Sequence, residues 1–140
     1  MRQITAALAD HNRVRRCECE RLLRAECDID VVAEASTISG AIEAVERLQP
    51  DVLVSSLSLA AHARFALLDA LGGSRTRVVV LSGPAVKQSR LIHALAHGCA
   101  GFVAVSMLKS ELPRAVRTIT RGEGWVRRRL LSAFVDRCGG

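Results

Sequence analysis

The chain switches repeatedly between two hydrophobic periodicities, and this switching restricts its fold more than any other feature. Short continuous apolar runs read as strands: Ile4 to Ala9, Ile29 to Ala33, Val52 to Val54, Arg77 to Leu81 and Ala100 to Val105. Between them, apolar residues recur at helical spacing. Val14, Leu22 and Leu23 mark a first helix over Arg13 to Ala25, and Ile38, Ile42, Val45 and Leu48 mark a second. Phe65, Leu67, Leu68 and Leu71 belong to a third, Leu91, Ala94 and Leu95 to a fourth, and Leu112, Val116 and Ile119 to a fifth. The breaks are placed by Asp10-His11-Asn12, Pro50, Gly72-Gly73 and Gly98, the last a natural residue to follow a helix end. Pro113 fits only the first turn of the fifth helix. Strands that are apolar throughout belong to a sheet covered on both faces, hence a parallel one, and right-handed crossovers put helices on both sides. The expected fold is α/β, a doubly wound five-stranded parallel sheet of flavodoxin-like order 2-1-3-4-5. A short helix follows over Trp125 to Cys138, with Leu130, Leu131, Phe134 and Val135 as its apolar stripe.

At 140 residues, 49% of them hydrophobic, the chain has the size and apolar content of one globular domain. No apolar run approaches the roughly 20 residues that span a bilayer, and the N-terminus lacks an export signal. Five cysteines, an odd number without Cys-x-x-Cys spacing, point to a reduced setting, so a cytoplasmic protein with no membrane contact is expected. Cys17 and Cys19 cannot share a helix face, and Cys19 is expected to pack while Cys17 is exposed. The net charge of +6 is uneven: residues 50–140 carry 13 basic and 5 acidic groups, against 7 and 9 in residues 1–49. Lying on the fifth helix and the tail, that excess suggests a contact surface or the start of a linker.

In doubly wound sheets the functional crevice lies at the C-terminal ends of the strands, near the switch point between strands 1 and 3. The residues placed there are Asp10-His11, Ser55-Ser56, Ser82-Gly83 and Val105-Ser106. Ser56, His11 and Asp10 invite a hydrolase reading, but no Gly-x-Ser-x-Gly elbow frames Ser56, and His11 adjoins Asp10 too closely to be oriented by it. His93 and His97 have metal-pair spacing without a third ligand, so they read as surface histidines. No Gly-rich phosphate loop follows strand 1. Neither a catalytic residue nor a metal or other cofactor is expected.

Several stretches resemble, in order and at the right spacing, a response-regulator receiver domain of the NarL/LuxR type. They are Ala9-Asp10, Leu22 to Glu26, Asp28 to Ala35, Leu48 to Val52, Arg77 to Ser82 and Gly98 to Phe102. The resemblance implies residues 1–124 as a receiver-like domain and 125–140 as a helical extension or linker start. It also implies that the phosphoacceptor aspartate is replaced by Ser56, that one of two magnesium-binding acids survives as Asp10 with His11 beside it, and that the lysine of strand 5 is replaced by Val105. The hydroxyl residue is kept as Ser82 and the aromatic switch residue as Phe102. Serine does not form an acyl phosphate, and one carboxylate beside an imidazole is a poor magnesium site. The resemblance therefore implies a degenerate, phosphorylation-independent receiver of an atypical response regulator. It would dimerise and act on transcription through a DNA-binding output outside these 140 residues. A dimer face is expected in which Arg114, Arg117 and Arg121 meet Glu18 and Glu20 of a second copy. The alternative is a sensor whose emptied crevice binds a small molecule.

Overall fold

The computed structural model describes residues 3–139; Gly140, which ends the expected extension, and the Cys138 side chain lie outside the described residues. Five strands, β1 (Ile4–Ala9), β2 (Ile29–Ala35), β3 (Val52–Ser56), β4 (Arg77–Ser82) and β5 (Gly101–Ala104), alternate with helices. These are α1 (Arg13–Arg24), α2 (Ile38–Leu48), α3 (Leu57–Ala70), α4 (Gln88–Ala96) and α5 (Leu108–Thr120), and α6 (Arg128–Gly139) follows. All strand pairs are parallel, in the expected order β2-β1-β3-β4-β5. The two sheet faces are buried in separate clusters. Leu8, Val54, Val79 and Val103 pack with Leu23, Leu112, Val116 and Ile119 of α1 and α5. Leu53, Val78 and Val80 pack with Val45, Leu67, Leu68 and Ala94 of α2, α3 and α4. Successive strand residues feed opposite clusters, which is why the strands read as unbroken apolar runs.

Caps set the helix starts. The side chains of Asn12, Thr37 and Ser56 accept the N–H groups of Arg15, Gly40 and Leu59 at the starts of α1, α2 and α3. Gln49 ends α2 in a left-handed conformation just before Pro50, and Gly98 follows α4 with φ +102° as expected. Cys19 is buried and Cys17 exposed; burial pushes the thiols of Cys19 and Cys99 up to about 12.

Some sequence expectations are corrected. Capped by Ser56, α3 starts directly after β3 rather than near Phe65, and it is broken where Ala63, Arg64 and Phe65 take φ of +52°, +56° and +64°. Phe65 is buried there and stacks on His97 at 4.9 Å, whose Nδ1 lies 2.6 Å from Asp69 Oδ1. His97 is thus a packing residue, not a bare surface histidine. A 3₁₀ turn over Val105–Met107 leads into α5, so Pro113 falls in the second turn and leaves the carbonyl of Lys109 without its intrahelical donor. Val14 is exposed on α1, and Leu48 turns outward at the end of α2, where Ala41, Ala44 and Val45 form the buried face instead. Of the expected α6 stripe, Leu130 is buried and Phe134 half-buried, but Leu131 and Val135 face solvent.

Before α6, the chain returns to the sheet edge. Trp125 donates its N–H to Ala100 and accepts that of Phe102, forming a parallel bridge beside Gly101. A Cβ on Gly101 would lie 2.5 Å from the Trp125 carbonyl oxygen, so this approach requires glycine. The indole Nε1 donates to Glu111 Oε1 at 3.3 Å and the Arg114 guanidinium sits 5.6 Å from the ring centre.

Candidate functional site

The strand register assembles the expected crevice. Ala9 is opposite Ser55, Ser56 opposite Leu81, and Ser82 opposite Ala104. Asp10, Ser56, Ser82 and Val105 therefore follow one another along the C-terminal edge of the sheet.

The carboxylate of Asp10, 2% exposed, is fully engaged. Its Oδ1 accepts the backbone N–H of Asn12 at 2.9 Å and Nη2 of Arg15 at 2.8 Å, while Oδ2 accepts Arg15 Nε. This is a bidentate guanidinium–carboxylate pair, the geometry in which a nearly buried charge is best compensated. The hydrogen bond to Asp10 raises the pKa of Arg15 further, so the cation is permanent. Arg16 adds a bond from Nη1 to the Asp10 carbonyl at 2.6 Å. Both arginines reach back because Asn12 caps α1 and folds its first turn over the end of β1. Sequence reasoning missed Arg15; the visible signal was an arginine three residues after a capping asparagine, itself two residues after the acid.

The resemblance to receiver domains implies a magnesium ion at this edge, and the residues present do not fit one. Divalent magnesium needs several free oxygen ligands, and both oxygens of the surviving acid hold Arg15. Among the described residues no group of three His, Cys, Asp or Glu could hold a metal.

Ser56 serves the backbone. Its Oγ accepts the N–H of Leu59 at 3.3 Å and lies 3.3 Å from Ser58 Oγ, while Ser55 Oγ donates to the Ser56 carbonyl. Ser58, unnoticed in the sequence, is the serine next to His11, with Oγ 3.3 Å from Nδ1. Asp10 Oδ1 is 3.9 Å from that same nitrogen. A catalytic triad places serine and acid on opposite ring nitrogens, so the hydrolase reading fails on geometry. Val105 packs against the α1/α5 cluster. Ser82 and Phe102 line a larger cavity on the far side of β4, whereas His11, Ser58 and His62 line a smaller one of about 370 Å³ beside α2.

The expected dimer charges are satisfied within the chain. Arg117 grips Asp28 through two bonds of 2.8 Å and also contacts Glu26, tying α5 to the turn before β2. Glu18 pairs with Arg21, Glu20 with Arg24, Arg121 with Glu123, and Arg114 lies over Trp125. Exposed pairs such as Glu18–Arg21 and Glu20–Arg24 contribute little and exchange readily, so they leave the expected face of Arg114, Arg117 and Arg121 with Glu18 and Glu20 open to a second copy.

No protein-family model matches the chain. It is 27% identical over 132 residues to the oxygen regulatory protein NreC of Staphylococcus haemolyticus, covering 92% of this chain and 60% of that protein. The chain thus spans about three fifths of the length of that relative. Its structure is similar to the signal receiver domain of the putative response regulator NarL from Mycobacterium tuberculosis, with a TM-score of 0.81, 22% identity, and coverage of 88% of this chain and 100% of that one. It is also similar to the isolated REC domain of RcsB from Salmonella enterica serovar Typhimurium, with a TM-score of 0.78, 18% identity, and coverage of 94% and 98%. The fold is that of a response-regulator receiver domain. No described helix is long and apolar enough to cross a membrane.

Proposed function

We propose that the chain is a phosphorylation-independent receiver domain of an atypical response regulator, which acts through protein contact on a DNA-binding output to control transcription. The observation that carries this reading is the Arg15–Asp10 pair. Phosphoryl transfer to a receiver needs an acceptor carboxylate and a cation to neutralise charge as it develops. At this edge Ser56 stands at the acceptor position as a helix cap, and a fixed guanidinium occupies the carboxylate of the one remaining acid. The Asp10 charge is thus compensated without a bound ion. Regulation then rests on contacts of the surface, with the extension from Trp125 onward as the route toward an output.

The test is an amide NMR spectrum of the protein with Mg²⁺ and beryllofluoride. The expected spectrum is unchanged around Ser56, Ser82 and Phe102. Saturable shifts confined to those residues would overturn the proposal.

A further inference from the structure

We propose that the cavity between β5 and α6, which meets the strand-end edge at Ser82 but does not include Ser56, is a binding site for a small monoanionic amphiphile, an acyl or aryl carboxylate or its sulfonate analogue. The cavity is about 620 Å³, within the range of small-molecule sites. Its wall is apolar and comes from three elements: Leu91 of α4, Phe102 and Ala104 of β5, and Leu130 of α6, with Trp125 between them. Such a wall takes a hydrocarbon or aromatic body.

The charged groups at the cavity select the head group. Arg127, Arg129 and Glu111 line it, a net charge of +1. Glu111 accepts the indole N–H of Trp125. Arg127 and Arg129 are exposed, and among the described residues neither has a carboxylate partner. By contrast, Arg15, Arg16, Arg21, Arg24, Arg75, Arg117 and Arg121 each pair with a carboxylate, and Arg114 lies over the Trp125 ring.

The helix itself adds a second reason. The N–H of Leu131 bonds the Arg127 carbonyl, so these arginines flank the first turn of α6, which holds no acidic residue. Cations at a helix N-terminus oppose the helix dipole, and an anion there relieves both the dipole and the arginine repulsion. An anionic head at Arg127 and Arg129 with its apolar body against Phe102 and Trp125 matches the two unpaired cations and the apolar wall of the cavity. Because α6 supplies one wall, occupancy also fixes α6 against the domain.

Trp125 is the only tryptophan in the chain and reports on this cavity directly. The intact chain is titrated with decanoate, 1-decanol and anilinonaphthalene sulfonate while tryptophan emission is recorded. Decanoate and the sulfonate are expected to change the emission saturably, with decanol about tenfold weaker or more because it lacks the charge. Arg127→Glu with Arg129→Glu weakens both anions by at least about tenfold, while Arg21→Glu, the same charge reversal on α1, leaves them unchanged. If the double reversal loses helical circular dichroism, Arg127→Gln with Arg129→Gln replaces it, with the same expected direction. No saturable response to either anion, decanol equal to decanoate, or undiminished binding by the folded double variant would overturn the proposal.

Discussion

Gly101 and Trp125 approach so closely that a methyl group does not fit between them: a Cβ at position 101 would stand 2.5 Å from the Trp125 carbonyl oxygen. The bond from Phe102 N–H to that oxygen, at 3.0 Å, depends on the approach. Gly101→Ala is therefore expected to cost about 1–3 kcal/mol as an overpacked contact, and to detach Trp125 from the sheet edge. Urea denaturation gives the first quantity and a red shift of tryptophan emission the second. An alanine variant with unchanged emission would mean that Trp125 stays at the sheet edge and the approach accommodates a methyl group.

The Arg15–Asp10 pair makes a sharper prediction, because one partner is almost fully buried. Arg15→Gln leaves the Asp10 carboxylate under-compensated and should cost about 3 kcal/mol, whereas Asp10→Asn in the same chain should recover much of that loss. A double-mutant cycle on unfolding free energy measures the coupling. Additive losses would show that the pair contributes no more than two independent surface groups.

Acid should weaken the tie between α5 and the turn before β2. The hydrogen bond from Arg117 holds the Asp28 carboxyl below its usual range. Its folded pKa is depressed, so its contribution is fully present above the unfolded value of about 3.9 and is lost as pH falls through the folded one. The stability difference between wild type and Arg117→Met should be constant from pH 7 down to about pH 5 and shrink below about pH 4. Unfolding curves across that window check it, and a difference independent of pH would rule the linkage out.

The left-handed turn in α3 offers a gain. Arg64 is exposed with φ +56°, a conformation that costs a residue with a side chain about 1–2 kcal/mol. Arg64→Gly should raise stability by about 1 kcal/mol after the added freedom of the unfolded chain is counted. A lower thermal midpoint would mean that the Arg64 side chain holds the turn by packing.

The sheet was legible in the sequence because burial on both faces leaves a continuous apolar signature, and Val78 to Leu81 sits where that signature placed it. The path of α3 was not. Its break rests on the contact of Phe65 with His97, residues from different helices, and no local pattern encodes a tertiary stack. The edge residues Asp10, Ser56, Ser82 and Val105 were found because topology fixes strand ends. Arg15 escaped notice because its role depends on where a helix cap aims the first turn. For a related reason the sequence shows the sign of Arg117, but not that Asp28 lies across the fold to meet it.

The sheet also acts as a partition. The cluster on the α1/α5 side and the cluster on the α2/α3/α4 side meet only through the backbone of the strands between them. A change in side-chain volume is felt by its own compartment, since close-packed interiors pass strain through touching atoms. Leu112 and Leu67 can thus diverge independently, one serving the face that carries Arg117 and the other the face that carries the broken helix. Each half of the molecule can be reshaped while the row of residues along the strand ends stays where it is.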